Sequence, residues 1–373
     1  MSGLLPEGFH DRLPPAADAA TRLESHVLGV ARGYGDEQVD PPLAEFADEL
    51  SARLKAAGGL RDAVRFVDPV SQRTLAIRPD LTAQIGRIAA TRMGHHPRPV
   101  RLSYAGPVMK LAASELDPLR ATRQIGAELI GLDTVAAATE VVRVAIEALR
   151  ATGVEGIALD FTLPDLVDCL AGDSLTPAQL ATLRDRLDAK DAAGVAAIAP
   201  RYLPLIEAAG PFDAAIERLR ASDAGKALAT RLDGLAEIAA SIRGQAALTL
   251  DPTERHGFEY QSWLGFSLFA KGVRGEIGRG GTYTILHGNG REEAAVGFSL
   301  YADPILDAGI GAGARRRLFL PFGTPAGIGA KLREEGWVTV AALEADDTPE
   351  AQLCTHVLRD GAPQTIQAGL AAN

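Results

Sequence analysis

The apolar residues of this chain change their spacing along the sequence, and that change restricts the fold more than any single motif does. From about Leu4 to Gly153, helical and strand-like spacings alternate. From roughly Leu163 to Gln245 the spacing is helical throughout, broken at Pro164, Pro177, Pro200, Pro204 and Pro211, and strand character returns at Ala246. A sheet that is begun, left for helices and then resumed predicts an α+β core carrying a helical insertion. The 373 residues accommodate this, since ~150 residues per domain allows two domains or one large domain with an insertion. The expected organisation is a core in two parts, 1–162 and 246–312, a helical insertion over 163–245, and a small C-terminal α/β unit over 313–373.

Within the first part, Leu23, Val27, Leu28 and Val30 recur at helical spacing after Pro14 and Pro15 and stop at Gly33-Tyr34-Gly35. Val64 to Asp68 and Thr74 to Ile77 predict a hairpin around Pro69 to Arg73, delivering Arg78, Pro79 and Asp80 at its end. Arg101 to Tyr104 and Pro107 to Leu111 read as two strand pieces flanking a loop, paired antiparallel with Arg123 to Ile130. From Thr134, the positions Val135, Val141, Val142, Ala145, Ile146 and Leu149 follow a 3.6-residue period up to Gly153. Beyond the insertion, strand character is expected over Ala246 to Leu250 and Glu259 to Lys271, continuing through the Gly-rich stretch Gly275 to Gly281 and on to Ala294 to Leu306. From Arg315 the chain reads strand (Leu318 to Pro321), helix (Pro325 to Glu335) and strand (Trp337 to Leu343).

Several function classes fall away on composition. No apolar run approaches the ~20 residues that cross a bilayer, so no membrane partner is expected. The stretch Met1 to Asp11 lacks a basic patch followed by an apolar run, so export is not expected and the cytoplasm is the natural compartment. Cys169 and Cys354 show no CxxC spacing and the seven histidines no HExxH spacing, so no metal site is expected. With 38 basic against 48 acidic residues, the net charge of −10 disfavours nucleic acid.

Three polar clusters stand at the ends of expected strands. In Arg78-Pro79-Asp80-Leu81-Thr82, Asp80 or Thr82 is either a helix cap or part of a site where a carboxylate meets an ammonium group. Gln124, Gly126 and Glu128 share one strand face at a period of two, either a shelf for a small polar ligand or a solvated sheet face. The third cluster joins Glu254 to Tyr260 with Gly278-Arg279-Gly280-Gly281-Thr282-Tyr283. Its glycines serve either a phosphate or a tight turn, and no Gly-Lys-Ser/Thr follows them as in a P-loop.

Taken in order over about residues 5 to 310, these segments resemble histidyl-tRNA synthetase, a class II synthetase. Leu5-Pro6-Glu7-Gly8 with Asp11 is similar to that family's N-terminal Pro-x-Gly-x-x-Asp, and Tyr34-Gly35 through Val39 to Pro42 to the first class II motif, which implies self-association as a dimer. Ala76 to Thr82 resembles the hairpin ending in Arg-Pro-Glu-x-Thr; Tyr104 to Val108 and Arg123 to Glu128 resemble the two strands of the second motif. The resemblance implies a class II antiparallel sheet flanked by helices. It also implies a histidine pocket at Asp80, Thr82, Gln124, Glu128, Glu259, Tyr260 and Tyr283. A carboxylate and an amide or hydroxyl on opposite sides suit the donor and acceptor nitrogens of an imidazole.

The ATP side departs from the synthetase pattern. Met109-Lys110-Leu111-Ala112 stands where an Arg-x-Glu is expected, and lysine keeps the charge but loses the bidentate fork. Pro304 stands where the third motif has arginine, and His256-Gly257-Phe258-Glu259-Tyr260-Gln261 stands for Arg-Gly-Leu-Asp-Tyr-Tyr. Adenylate formation needs cations around developing negative charge, so these losses imply a chain without synthetase catalysis, catalytic residues or cofactor. A synthetase-like body of this kind is similar to the regulatory subunits of ATP phosphoribosyltransferase, which act in the first step of histidine biosynthesis. That resemblance implies a short catalytic partner, a hetero-octamer, activation of the partner and feedback inhibition with histidine as effector. An active histidyl-tRNA synthetase and a purely structural subunit with a relict pocket remain the alternatives on sequence alone.

Overall fold

In the computed structural model, which describes residues 4–51, 63–113, 118–171, 175–222, 225–255, 261–313 and 316–366, the chain divides into two units, Met1–Ala312 and Gly313–Asn373. The first begins with α1 (Ala16–Gly33), β1 (Glu37–Gln38), β2 (Ala44–Phe46), α2 (Ala47–Ser51), β3 (Arg65–Val67) and β4 (Thr74–Ile77). There follow α3 (Thr82–Thr91), β5 (Val100–Met109), β6 (Ala121–Ile130), α4 (Val135–Ala151) and β7 (Ile157–Thr162). Next come α5 (Leu166–Ala171), α6 (Pro177–Asp188), α7 (Ala192–Ile198), α8 (Leu203–Glu207), β8 (Gly210–Pro211), α9 (Phe212–Ala221) and α10 (Gly225–Ser241). The unit ends with β9 (Ala247–Leu250), β10 (Gln261–Ala270), β11 (Gly278–Leu286), β12 (Glu292–Tyr301) and α11 (Ala302–Asp307).

Nine strands form one sheet in the order β1-β5-β6-β12-β11-β10-β7-β9-β8, and β2-β4-β3 form a small second one. The central pairs are antiparallel, as expected of a class II-like core; β1/β5 and β7/β9 are parallel. Parallel neighbours need a long crossover, and the helical stretch α5 to α10 is the crossover between β7 and β9. That stretch is not wholly helical, because β8 adds two residues to the sheet edge beside β9.

The period-two alternation of β6 assigns the two faces of the sheet. Ile125, Ala127 and Leu129 join the core formed with α1 and α4, to which α1 contributes Leu23, Val27 and Leu28 and α4 contributes Val141, Val142, Ala145 and Ile146. On the opposite face Ile130 packs with Leu102, Tyr104, Tyr283 and Ala295 beneath Leu81, Ile85 and Ala89 at the start and along the length of α3. The polar residues Gln124 and Glu128 are carried on this second face.

Two sequence expectations need correction. No loop divides β5, which runs unbroken through Pro107. There the neighbour β1 has ended, so the proline's missing N–H faces the sheet edge, where the Pro107 carbonyl accepts from Arg78 Nε at 2.8 Å and Met109 N–H donates to the Arg78 carbonyl at 3.0 Å. Likewise β12 stops at Tyr301 and α11 follows, with Pro304 in its first turn, where a missing N–H costs no helical bond.

The smaller unit contains β13 (Arg317–Leu320), α12 (Ala326–Glu334), β14 (Val338–Ala341), β15 (His356–Arg359) and β16 (Ala362–Thr365). Its strands lie in the order β14-β13-β15-β16, parallel except for the β15/β16 hairpin, over a core of Leu318, Leu320, Leu332 and Leu358. The hairpin was not anticipated, although Asp360 and Gly361 both adopt positive φ, as a two-residue type I′ turn requires.

Candidate functional site

Asp80 leaves the β4 side of the fold immediately before α3. Its Oδ1 accepts the Thr82 N–H at 2.7 Å, and its Oδ2 accepts from Gln124 Nε2 at 2.7 Å. Asp80 therefore closes an Asx-type turn onto the first residue of α3, whose N-cap is Leu81, and is also a member of a polar network. Gln124 is 1% exposed and uses both ends of its amide: Oε1 accepts Leu81 N–H at 3.0 Å, while Nε2 also reaches Ser299 Oγ at 2.6 Å. The solvated-face reading of Gln124 and Glu128 is thereby overturned.

Glu128 lies at the centre of the network, 2% exposed. Its Oε1 accepts from the Tyr104 hydroxyl at 3.0 Å and its Oε2 from the Tyr283 hydroxyl at 2.9 Å; Tyr104 also meets Ser299 Oγ at 2.9 Å. Burial pushes the Glu128 carboxyl up to about 8, against the hydrogen bonds from Tyr283 and Tyr104, with Asp80 adding to the rise and the Thr82 hydroxyl opposing it. Tyr104, wholly buried, is raised well above 10 first by burial and then by the charges of Glu128 and Asp80.

Two glycines make this packing possible. A Cβ on Gly297, which pairs with Glu128 across β12 and β6, would overlap Glu128 Oε2; one on Gly126 would overlap the Phe298 carbonyl and press on the Tyr104 hydroxyl. The third glycine cluster has a different role from either expected one. Gly278, Gly280 and Gly281 lie inside β11 and form neither a phosphate loop nor a turn; at Gly280 the space is taken by the Phe266 ring.

Of the residues expected in the pocket, Asp80, Gln124, Glu128 and Tyr283 are joined by hydrogen bonds, and Thr82 sits beside Asp80. Glu259 and Tyr260, with His256, lie outside the described residues. Sequence reasoning did not single out Tyr104 and Ser299, which complete the network. Tyr104 stands directly opposite Gly126, and an aromatic residue facing a glycine across a strand pair is the signal that was available. On the ATP side, Asp303, beside Pro304, is 2% exposed and fixed by Arg12 and by the Arg123 N–H at 2.8 Å, a structural anchor.

The histidyl-tRNA synthetase family model matches residues 8–305. An ATP phosphoribosyltransferase regulatory subunit from Rhodospirillum centenum is 42% identical over 98% of this chain and 96% of its own length, and one from Paramagnetospirillum magneticum is 41% identical over 95% and 96%. The chain belongs to the ATP phosphoribosyltransferase regulatory subunit family. As a member of that family it is a regulatory subunit and not the chain that carries out the transfer. A solved structure from Bacillus halodurans, described as an ATP phosphoribosyltransferase regulatory subunit/histidyl-tRNA synthetase, superposes with a TM-score of 0.76 at 21% identity, covering 94% of this chain and 96% of that one. Histidyl-tRNA synthetase from Nostoc gives 0.76 at 16% identity, covering 96% and 91%. These likenesses establish that the regulatory subunit has the class II synthetase fold.

Proposed function

We propose that this regulatory subunit activates the short catalytic subunit of ATP phosphoribosyltransferase and makes it subject to feedback inhibition by histidine, bound around Asp80, Thr82, Gln124, Glu128, Glu259, Tyr260 and Tyr283. The observation that carries the reading is the largely buried network that runs from Asp80 through Gln124, Ser299, Tyr104 and Glu128 to Tyr283. Three polar side chains on one sheet face, with Asp80 held above them from the start of α3, form a site prepared for a small polar ligand, because their orientation is fixed before the ligand arrives. Asp80 supplies an anion for the ligand's ammonium, while Glu128 and its tyrosines offer donors and acceptors to an imidazole. The loss of the bidentate fork at Lys110 and of the cation at Pro304 favours retention of the amino-acid site without adenylation.

The proposed assembly is a hetero-octamer in the cytoplasm, with the regulatory chains associating as dimers through the segment Tyr34 to Pro42. Inhibition requires histidine to bind the inactive arrangement more tightly than the active one, since equal affinity shifts nothing. The test is the ATP phosphoribosyltransferase rate of the short catalytic chain from the same genome, with and without this protein, across a histidine titration. Activation that histidine reverses is the expected result. An unchanged rate with no co-elution of the two chains overturns the assignment, and histidine-dependent exchange of pyrophosphate into ATP would restore the synthetase alternative.

A further inference from the structure

The stretch Asp251 to Arg255, which follows β9, is held from two sides. From the sheet, the Phe161 carbonyl accepts the Asp251 N–H at 2.9 Å, and the Thr162 hydroxyl at the end of β7 donates to the Glu254 carbonyl at 2.6 Å. From the helical insertion, the turn between α6 and α7 reaches the same stretch. Asp188 Oδ1 accepts the Arg255 N–H at 2.8 Å, and Lys190 Nζ donates to Asp251 Oδ1 at 2.8 Å and to the Thr253 hydroxyl at 2.6 Å. Asp251 Oδ1 also accepts from the N–H and the hydroxyl of Thr253, both at 3.1 Å, so the ammonium locks a turn that is already closed on itself.

Lys190 makes these contacts from a backbone position that suits glycine. Its N–H donates to the Leu187 carbonyl at 3.0 Å and the Asp191 N–H to the Arg186 carbonyl at 2.8 Å, the paired bonds of a Schellman motif. The left-handed residue of that motif is usually glycine, yet here it is a lysine with φ +56°. A lysine at such a position is explained by what its side chain reaches. Only five residues, 256–260, separate Arg255 from Gln261, where β10 begins opposite Tyr283. Six residue steps span at most about 20 Å, so the placing of Glu259 and Tyr260 depends on where Arg255 is fixed.

We infer that Lys190 is a positioning residue of the effector site: with Asp188 it ties the chain leading to Glu259 and Tyr260 to the helical insertion, so that a ligand taken up there also steadies the α6–α7 turn. The inference rests on the histidine reading given above and deepens it by naming the element that responds. The coupling is reciprocal. Whatever steadies Asp251 to Arg255 from the insertion side favours the ligand, and the ligand favours the tied turn by the same factor.

The test is isothermal titration of the full chain with histidine, paired with amide hydrogen exchange over residues 185–195, for the parent and for Lys190→Gly. In the parent, saturating histidine is expected to slow exchange in that stretch, although none of its residues belongs to the proposed pocket. Lys190→Gly removes the ammonium but suits the left-handed backbone, so its melting temperature is expected to stay within a few degrees of the parent's. It is expected to bind histidine about 5- to 20-fold more weakly and to lose the histidine-dependent slowing. A lysine with a purely structural role would do the reverse, lowering the melting temperature and leaving histidine affinity unchanged. Asp188→Ala cuts the second tie from the same turn and gives the same readout should the glycine variant fold poorly. If the parent binds histidine but exchange over 185–195 does not respond, or if the variants bind it as tightly as the parent, the inference is overturned while the histidine reading stands. If the parent shows no histidine binding, the reading and the inference fall together.

Discussion

At the scale of single residues, the site is governed by one carboxyl group that burial raises from an ordinary value of 4.5 to about 8. A carboxyl whose folded value lies above its unfolded one binds protons more tightly when folded. It imposes no cost below about 4.5, and stability is lost as pH rises from there through about 8. Glu128→Gln cannot ionise and keeps an acceptor for Tyr104, so it is expected to lose less stability than the parent between pH 5 and pH 9. Its affinity for histidine is expected to fall, because the carboxylate that would pair with an imidazolium has gone and a neutral amide makes the weaker hydrogen bond. Urea denaturation at several pH values, paired with calorimetric titration, measures both; parallel pH profiles for parent and variant would place the titrating group elsewhere. Gly297→Ala tests the same packing from below. Its new Cβ would overlap Glu128 Oε2 and come close to the Ala127 carbonyl, so a loss of about 1–3 kcal/mol is expected in urea denaturation, along with weakened histidine binding.

At the scale of elements, the legible parts of the sequence were those where local signal and tertiary packing agree. Helix α4 is the plain case: its 3.6-residue pattern buries one face, and the Thr134 hydroxyl accepts the Ala137 N–H at 3.3 Å as its cap. Thr134→Ala is expected to cost about 1 kcal/mol in urea denaturation without altering histidine affinity, since the cap lies at the opposite end of β6 from Gln124 and Asp80. Where the sequence misled, a nonlocal partner had overruled a local signal. Pro107 suggested a break, but Arg78 approaches the sheet edge and takes up the carbonyl that a broken strand would have left to water. The glycines of β11 carry strand character as expected, and what the sequence left open was their purpose: Phe266 and Gln261 fill the volume that side chains at Gly280 and Gly281 would have occupied. The pocket was half legible in the same sense. Asp80, Gln124 and Glu128 sit at the pocket positions of their motifs and can be read in order, whereas Tyr104, although it opens the second motif, and Ser299 acquire their roles only once β5 and β12 are laid beside β6.

At the scale of the whole molecule, the two units have separate cores, and among its described residues the smaller unit's core cluster is Leu318, Leu320, Leu332 and Leu358, with one helix and four strands. A unit of that size has a small core and marginal stability, so calorimetry is expected to resolve two transitions, the smaller unit melting with the smaller enthalpy. Histidine then becomes a probe of which unit holds the site. A ligand that binds only the folded form stabilises it by RT ln(1 + [L]/Kd), about 2.7 kcal/mol at a hundredfold excess over Kd. Every described residue of the proposed pocket belongs to Met1–Ala312, so saturating histidine is expected to raise the larger transition by a few degrees and leave the smaller one in place. The smaller transition therefore serves as an internal control against nonspecific solute effects, which would move both together. If both transitions rise in parallel with saturable dependence on histidine, the two units are coupled through the effector, and the pocket on the β6 face would not be the whole of the site.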